Sequence, residues 1–138
     1  MDESYSFPYT RVGNIVLCPW LQLEVTGPNG KAKTIRGIVD SGADISVLPF
    51  DYALILGYDL GALTEIPNVE GGSNCKIEAY QSPQHCTATV VEIPDHGFTL
   101  EPMFLKDTTK ILWGQADFMA KFDVLFMKSQ DRFDLYPN

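Results

Sequence analysis

The sequence predicts an all-β fold, and three features predict it. Apolar residues alternate with polar ones at period two, turn-forming clusters separate the alternating runs, and helical spacing is confined to two short segments. In chain order, the first ten or so residues read as a loose arm. Leu21, Leu23 and Val25 then alternate with Gln22, Glu24 and Thr26, and Gly27-Pro28-Asn29-Gly30 closes a first hairpin. Residues 50–56 form a first short helix, with Asp51 in its first turn and Gly57 suited to the left-handed conformation that ends helices. Phe98 and Leu100 alternate with Thr99 and Glu101 after a second turn, Pro94-Asp95-His96-Gly97. Ala116, Met119 and Ala120 recur at helical spacing over residues 115–121, with Asp117 near the start. A third turn, Ser129-Gln130-Asp131-Arg132, leads into a last strand in which Phe133 and Leu135 alternate with Asp134 and Tyr136. Neither helix is long enough to persist without tertiary packing.

A chain of 138 residues with 45% hydrophobic content supports one core and one domain, residues 1–138. No internal repeat or low-complexity segment interrupts it. The net charge of −8 and a pI near 4.5 exclude nucleic acid and anionic membrane surfaces as partners, since both repel an acidic chain. Cys18, Cys75 and Cys86 are odd in number and lack the close spacing of a zinc or redox motif, so they read as reduced thiols. Met1, Asp2 and Glu3 have the wrong charge for a signal peptide, and Pro19, Gln22 and Glu24 interrupt the apolar residues 15–25 well short of the ~20 that span a bilayer. A soluble, cytoplasmic protein is expected. His85 and His96 match no ligand pattern and read as surface or internally satisfied side chains; no metal or cofactor is expected.

The stretch that carries chemistry is Gly37-Ile38-Val39-Asp40-Ser41-Gly42-Ala43-Asp44-Ile45-Ser46-Val47-Leu48-Pro49. An apolar strand delivers an aspartate into a small-residue turn, and a second apolar segment follows. The strand fixes the carboxylate, Gly42 removes bulk so that another backbone can approach, and Ser41 offers a hydroxyl for a cross-chain hydrogen bond. An Asp-Ser-Gly tripeptide alone is common in ordinary turns, so the weight lies on the surrounding pattern.

That pattern resembles the retropepsin-like aspartic proteases. Their apolar-apolar-Asp-(Thr or Ser)-Gly-Ala run is matched by Ile38-Val39-Asp40-Ser41-Gly42-Ala43, their Leu-Pro by Leu48-Pro49, and the Leu-Gly of many cellular members by Leu56-Gly57. The downstream pair of apolar residues and glycine is matched by Leu112-Trp113-Gly114. The continuation from Asp117 to Phe126 is similar to the helix and strand of bacterial relatives. Between these motifs, Glu70-Gly71-Gly72-Ser73-Asn74-Cys75 is similar to the glycine-rich flap that closes over substrate, and Lys76-Ile77-Glu78-Ala79-Tyr80 to its returning strand.

The resemblance implies a closed-barrel subunit with one or two short helices that forms a two-fold symmetric dimer. Only one Asp-Ser-Gly is present, so a pair of catalytic carboxyls requires a second copy of the chain. It implies an aspartic endopeptidase without metal or covalent intermediate. Asp40 is then the acid/base, supported by Ser41 and Gly42; Ala43, Asp44, Glu70, Gly71, Gly72 and Ser73 contact substrate; and Leu112, Trp113 and Gly114 brace the site. The partner molecule is an extended polypeptide bound as an added strand. Retroviral members place Arg where this chain has Gln115, so the charged pair with Asp44 is replaced by a weaker neutral hydrogen bond. Trp113 and Phe118 are expected in the core, and Asp117 and Asp123 in helix-start and surface roles. Two other readings start from the same residues: a catalytically silent dimer that binds extended peptides, and a structural β-barrel subunit of a larger assembly.

Overall fold

A computed structural model describes residues 3–13, 16–67, 69 and 77–138. The alternation at Leu21, Leu23 and Val25 produces β2 (Trp20–Thr26), whose buried and exposed side chains alternate as the sequence implies. The Gly27–Gly30 turn returns the chain as β3 (Ala32–Val39), antiparallel to β2 from Trp20↔Ile38 to Thr26↔Ala32. Gly30 takes φ +90°, a conformation that favours glycine.

After β3 come β4 (Val47–Pro49), α1 (Asp51–Ile55), a 3-10 turn (Leu60–Ala62), β5 (Thr64–Ile66) and β6 (Ala79–Gln81). Gly57 ends α1 with φ +77°. The chain continues through β7 (Cys86–Val90), β8 (Ile93–Leu100), β9 (Met103–Leu105) and β10 (Leu112–Trp113). A large sheet orders these strands β5-β6-β9-β4-β10-β3-β2-β7-β8. Among the described residues no ladder joins its edges, β5 and β8, so the closure expected of a barrel is not seen as paired strands.

α2 (Phe118–Lys121), β11 (Phe122–Met127), a 3-10 turn (Lys128–Gln130) and β12 (Arg132–Pro137) complete the chain. β12 lies between β11 and β1 (Tyr5–Pro8) in a second, three-stranded sheet. The arm expected to be loose is therefore a strand over residues 5–8. It is held by the Tyr5↔Leu135 to Pro8↔Arg132 ladder and by Phe7 stacked on Phe133 at 5.4 Å. On the polar face of β12 Asp134 alone is buried, flanked by the neighbouring strands, and it accepts a 2.6 Å hydrogen bond from Ser6 Oγ.

Two further expectations shift. The segment Pro94-Asp95-His96-Gly97 lies inside β8 rather than at a turn, and the chain reverses instead at Val91 and Glu92. Its turn-like composition is tolerated because a register irregularity between Ala88 and Val90 loosens the β7–β8 pairing there. The second helix covers Phe118–Lys121 only, because Asp117 caps it by accepting the Phe118 N–H.

The core gathers the inward residues of both sheets, with Leu23, Leu48, Phe104, Trp113, Phe118 and Phe133 fully buried. Full burial of each such side chain stabilises the fold by about 1.5–3 kcal/mol before its ordering cost. Cys18 and Cys86 are free thiols. No helix among the described residues is long and apolar enough to cross a membrane.

Candidate active site

β3 ends at Val39, and Asp40 follows at its tip. The strand pair β3 and β4 is not adjacent: β10 is inserted between them, parallel to β3 (Leu112↔Ile38, Trp113↔Val39) and antiparallel to β4 (Leu112↔Val47). The turn carrying Asp40 must therefore arch over the end of β10, and β10 anchors it. Asp40 N–H donates to the Trp113 carbonyl at 3.0 Å, while Val39 N–H donates to the Pro19 carbonyl at 3.0 Å.

The carboxylate itself is half-buried. Its Oδ1 accepts the Gly42 N–H at 2.8 Å, and Ala43 N–H closes the turn onto the Asp40 carbonyl at 3.2 Å. A Cβ at Gly42 would stand a tight 3.2 Å from Asp40 Oδ1, and the approach of another backbone expected there is not seen among the described residues. Ser41, Gly42 and Asp44 are exposed, and Ala43 is half-buried.

The apolar-apolar-glycine segment braces this turn through its backbone. Trp113 is fully buried, donates its indole N–H to the Leu21 carbonyl at 3.0 Å, and packs so tightly on Gly37 that a Cβ there would meet Cε2 at 2.7 Å. Gly114 is buried against the turn: an added Cβ would meet the Ala43 carbonyl oxygen at 2.7 Å and the Ile45 backbone at 2.8 Å. Backbone N–H groups of Gln115 and Ala116 donate to the carbonyls of Ala43 and Asp44, both at 2.9 Å.

Three contacts escaped the sequence reading. Gln115 does not turn its amide to the Asp44 side chain; its Nε2 donates to the Ser41 carbonyl at 2.7 Å. Ser46, fully buried, accepts the Gly114 N–H at 2.9 Å and donates to Asp117 Oδ1 at 2.6 Å. Asp117 accepts the Phe118 N–H at 2.8 Å as a helix cap, but it is buried, and its Oδ2 also accepts the Glu101 N–H at 3.1 Å. The helix-start role expected of Asp117 holds, but its carboxylate is buried rather than at the surface, and three donors, from Ser46, Phe118 and Glu101, converge on it. The signal was a lone hydroxyl in the apolar run Ile45-Ser46-Val47-Leu48, which requires a buried partner.

A cavity of ≈ 720 Å³ opens beside Asp40, lined also by Trp20, Arg36, Ile38, Lys110 and Leu112. A second, of ≈ 750 Å³, lies around Phe50 and Lys106 and does not reach Asp40. Glu70, Gly71, Gly72 and Ser73, the expected flap residues, lie outside the described residues. The strands that lead to them are β5 and β6, paired from Thr64↔Gln81 to Ile66↔Ala79 and extended by Ile77 N–H donating to the Val69 carbonyl at 2.9 Å. No group of three or more His, Cys, Asp or Glu side chains among the described residues is placed to hold a metal ion. His85 and His96 sit near Glu101 and Glu3 at 3.7 and 3.8 Å, away from Asp40.

No family model and no curated protein matches the sequence. Among solved structures the chain is similar to the crystal structure of a retropepsin-like aspartic protease from Rickettsia conorii. The TM-score is 0.61 and the identity 16%, with 99% of this chain and 94% of that chain covered. The fold is thus retropepsin-like: mostly β, with two short helices.

Proposed function

We propose that this chain is one subunit of a homodimeric aspartic endopeptidase, with Asp40 as its share of a two-carboxylate centre. The observation that carries the reading is the mounting of Asp40. A single aspartate stands at the tip of a core strand, its N–H tied to Trp113 and one oxygen tied to Gly42, facing a cavity. The similar solved structure is described as an aspartic protease, which agrees with that placement.

In the dimer two Asp40 carboxyls meet across a two-fold axis and close a barrel-like cleft between the subunits. At ~3 Å and an effective dielectric near 20, two full charges there repel by about 5 kcal/mol. One proton is therefore shared, as holds for aspartic-protease carboxyl pairs generally. The ionised member takes a proton from water, the water oxygen attacks the scissile carbonyl, and the protonated member donates to the carbonyl oxygen. The tetrahedral intermediate then collapses as the amine leaves with a proton. Ser41 and Gly42 keep the geometry, Ala43 and Asp44 contact the substrate backbone, Glu70, Gly71, Gly72 and Ser73 cover it, and Leu112, Trp113 and Gly114 hold the turn.

The test is cleavage of denatured casein by the purified protein between about pH 4 and 7, in parallel with Asp40→Asn. Wild-type cleavage abolished by that substitution is the expected result. Peptide binding without cleavage, equal in both proteins, would identify a binding module instead.

A further inference from the structure

Trp20, Ile38 and Leu112 form a row across β2, β3 and β10, because Trp20 and Leu112 are the register partners of Ile38 on either side. Arg36 and Asp40 stand two residues before and after Ile38 along the chain, so alternation points all five side chains to one face. All five line the ≈ 720 Å³ cavity, joined by Lys33 and Lys110. The apolar row is its floor, the Asp40 carboxylate stands at one end, and cations stand along the other side.

The charges are unusual for this chain, which has 18 acidic and 10 basic side chains. Three of its cations, Lys33, Arg36 and Lys110, border this one cavity. None of them forms an ion pair among the described residues, whereas Lys106, Lys128 and Arg132 each stand within 4.0 Å of a carboxylate. The Arg36 guanidinium lies over the Trp20 ring, 5.9 Å from its centroid, which holds it at the floor of the cavity.

We infer that this cavity is a specificity pocket for an acidic substrate side chain, selected by Arg36 and Lys110. The inference rests on the endopeptidase reading and adds a substrate class to it. Four residues of strand separate Asp40 from Arg36, a span of roughly 13 Å that a substrate side chain and the arginine divide between them. A residue whose carbonyl sits at Asp40 lays its Cβ on Ile38 and Leu112. The carboxylate of Glu or Asp then reaches the unpaired cations, while Lys or Arg at the same position meets like charge.

The test uses peptides of one sequence that differ only in Glu, Gln or Lys next to the scissile bond. Wild-type kcat/KM should favour Glu over Gln by about tenfold, the factor that one charge-assisted hydrogen bond supplies, and should be lowest for Lys. Arg36→Met combined with Lys110→Met should bring the Glu/Gln ratio to about one, and Arg36→Lys with native Lys110 should restore part of it. Equal rates for Glu and Gln in the wild type, or a preference that survives the double substitution, overturns the pocket. Failure of the endopeptidase reading looks different, because then no peptide is cut. In that case calorimetric titration of the Glu and Gln peptides into wild type decides: tighter Glu binding, lost in the double variant, upholds the pocket, and equal affinity overturns it.

Discussion

The side-chain amide of Gln115 donates to the backbone carbonyl of Ser41 at 2.7 Å, joining the turn that holds Asp40 to the loop after β10. Two backbone bonds, Gln115 N–H to the Ala43 carbonyl and Ala116 N–H to the Asp44 carbonyl, run beside it. The Gln115 amide thus acts as the side-chain member of a three-bond clamp on residues 41–44, directed at the backbone.

Removing that member should loosen the turn more than it weakens the fold. Gln115→Ala should cost about 0.5–1 kcal/mol in denaturant unfolding, since the bond is exposed. Turnover should fall further, about three- to tenfold, because the residue it holds is the neighbour of Asp40. Gln115→Glu has the same shape but no donor when ionised, and should behave like the alanine variant. Turnover in both variants equal to wild type would show that the two backbone bonds suffice.

The buried contact between Ser46 and Asp117 carries a larger energy. Ser46→Ala leaves the Gly114 N–H without its acceptor and takes one donor from a buried carboxylate, so unfolding free energy should drop by about 2–3 kcal/mol. Asp117→Asn keeps the shape but turns an amide donor toward donors, and should cost a similar amount. Because both substitutions break one network, the double variant should lose clearly less than their sum. Additive losses, measured by urea unfolding, would mean that the two side chains act separately.

Legibility in the sequence followed periodicity and glycine. Leu21, Leu23 and Val25 revealed β2 because one face of that strand is solvated, and Gly57 marked a helix end. Asp40 stood out as a candidate because its neighbours are apolar on one side and small on the other. The arm at residues 5–8 was not, because its partner, β12, is about 128 residues away and only the tertiary fold brings them together. Asp117 was missed for a related reason. A carboxylate before a helix reads as a surface cap, and nothing local announces that Ser46 and Glu101 supply its remaining partners.

Alkaline pH should expose a buried thiol: Cys86 donates its S–H to the Leu100 carbonyl at 3.4 Å, while the buried hydroxyl of Tyr58 has no hydrogen-bond partner among the described residues. Burial pushes the Cys86 thiol from an ordinary 9.0 up to about 11, against a partial lowering by the Tyr58 side chain. Burial first, and the neighbouring Cys86 second, hold the Tyr58 phenol well above its ordinary value. The folded state thus holds the Cys86 proton more tightly than the unfolded chain. Its contribution to stability is whole below pH 9.0 and is lost as pH rises through about 11. That interval corresponds to about 2–3 kcal/mol for the thiol. Urea midpoints should fall between pH 8.5 and 11 more steeply in wild type than in Cys86→Ala, with the difference opening near pH 9.0. Parallel slopes would remove the thiol from the account.

Mixing experiments test the shared centre without a structure of the dimer. If each site needs one Asp40 from each of two copies, an Asp40→Asn chain will poison every wild-type chain it pairs with. Equal amounts of the two, unfolded together and refolded, should pair at random and leave about one quarter of the dimers with both carboxyls. Activity per total chain should then be about one quarter of the wild-type value, where independent sites would give one half. Dilution supplies the complementary arm: specific activity should fall as the dimer dissociates, and an added peptide that binds across the cleft should restore it by mass action. A value of one half on mixing, with no loss on dilution, would place a complete site in each single chain, and one Asp-Ser-Gly motif would then have to be joined by a carboxylate from elsewhere in the same chain.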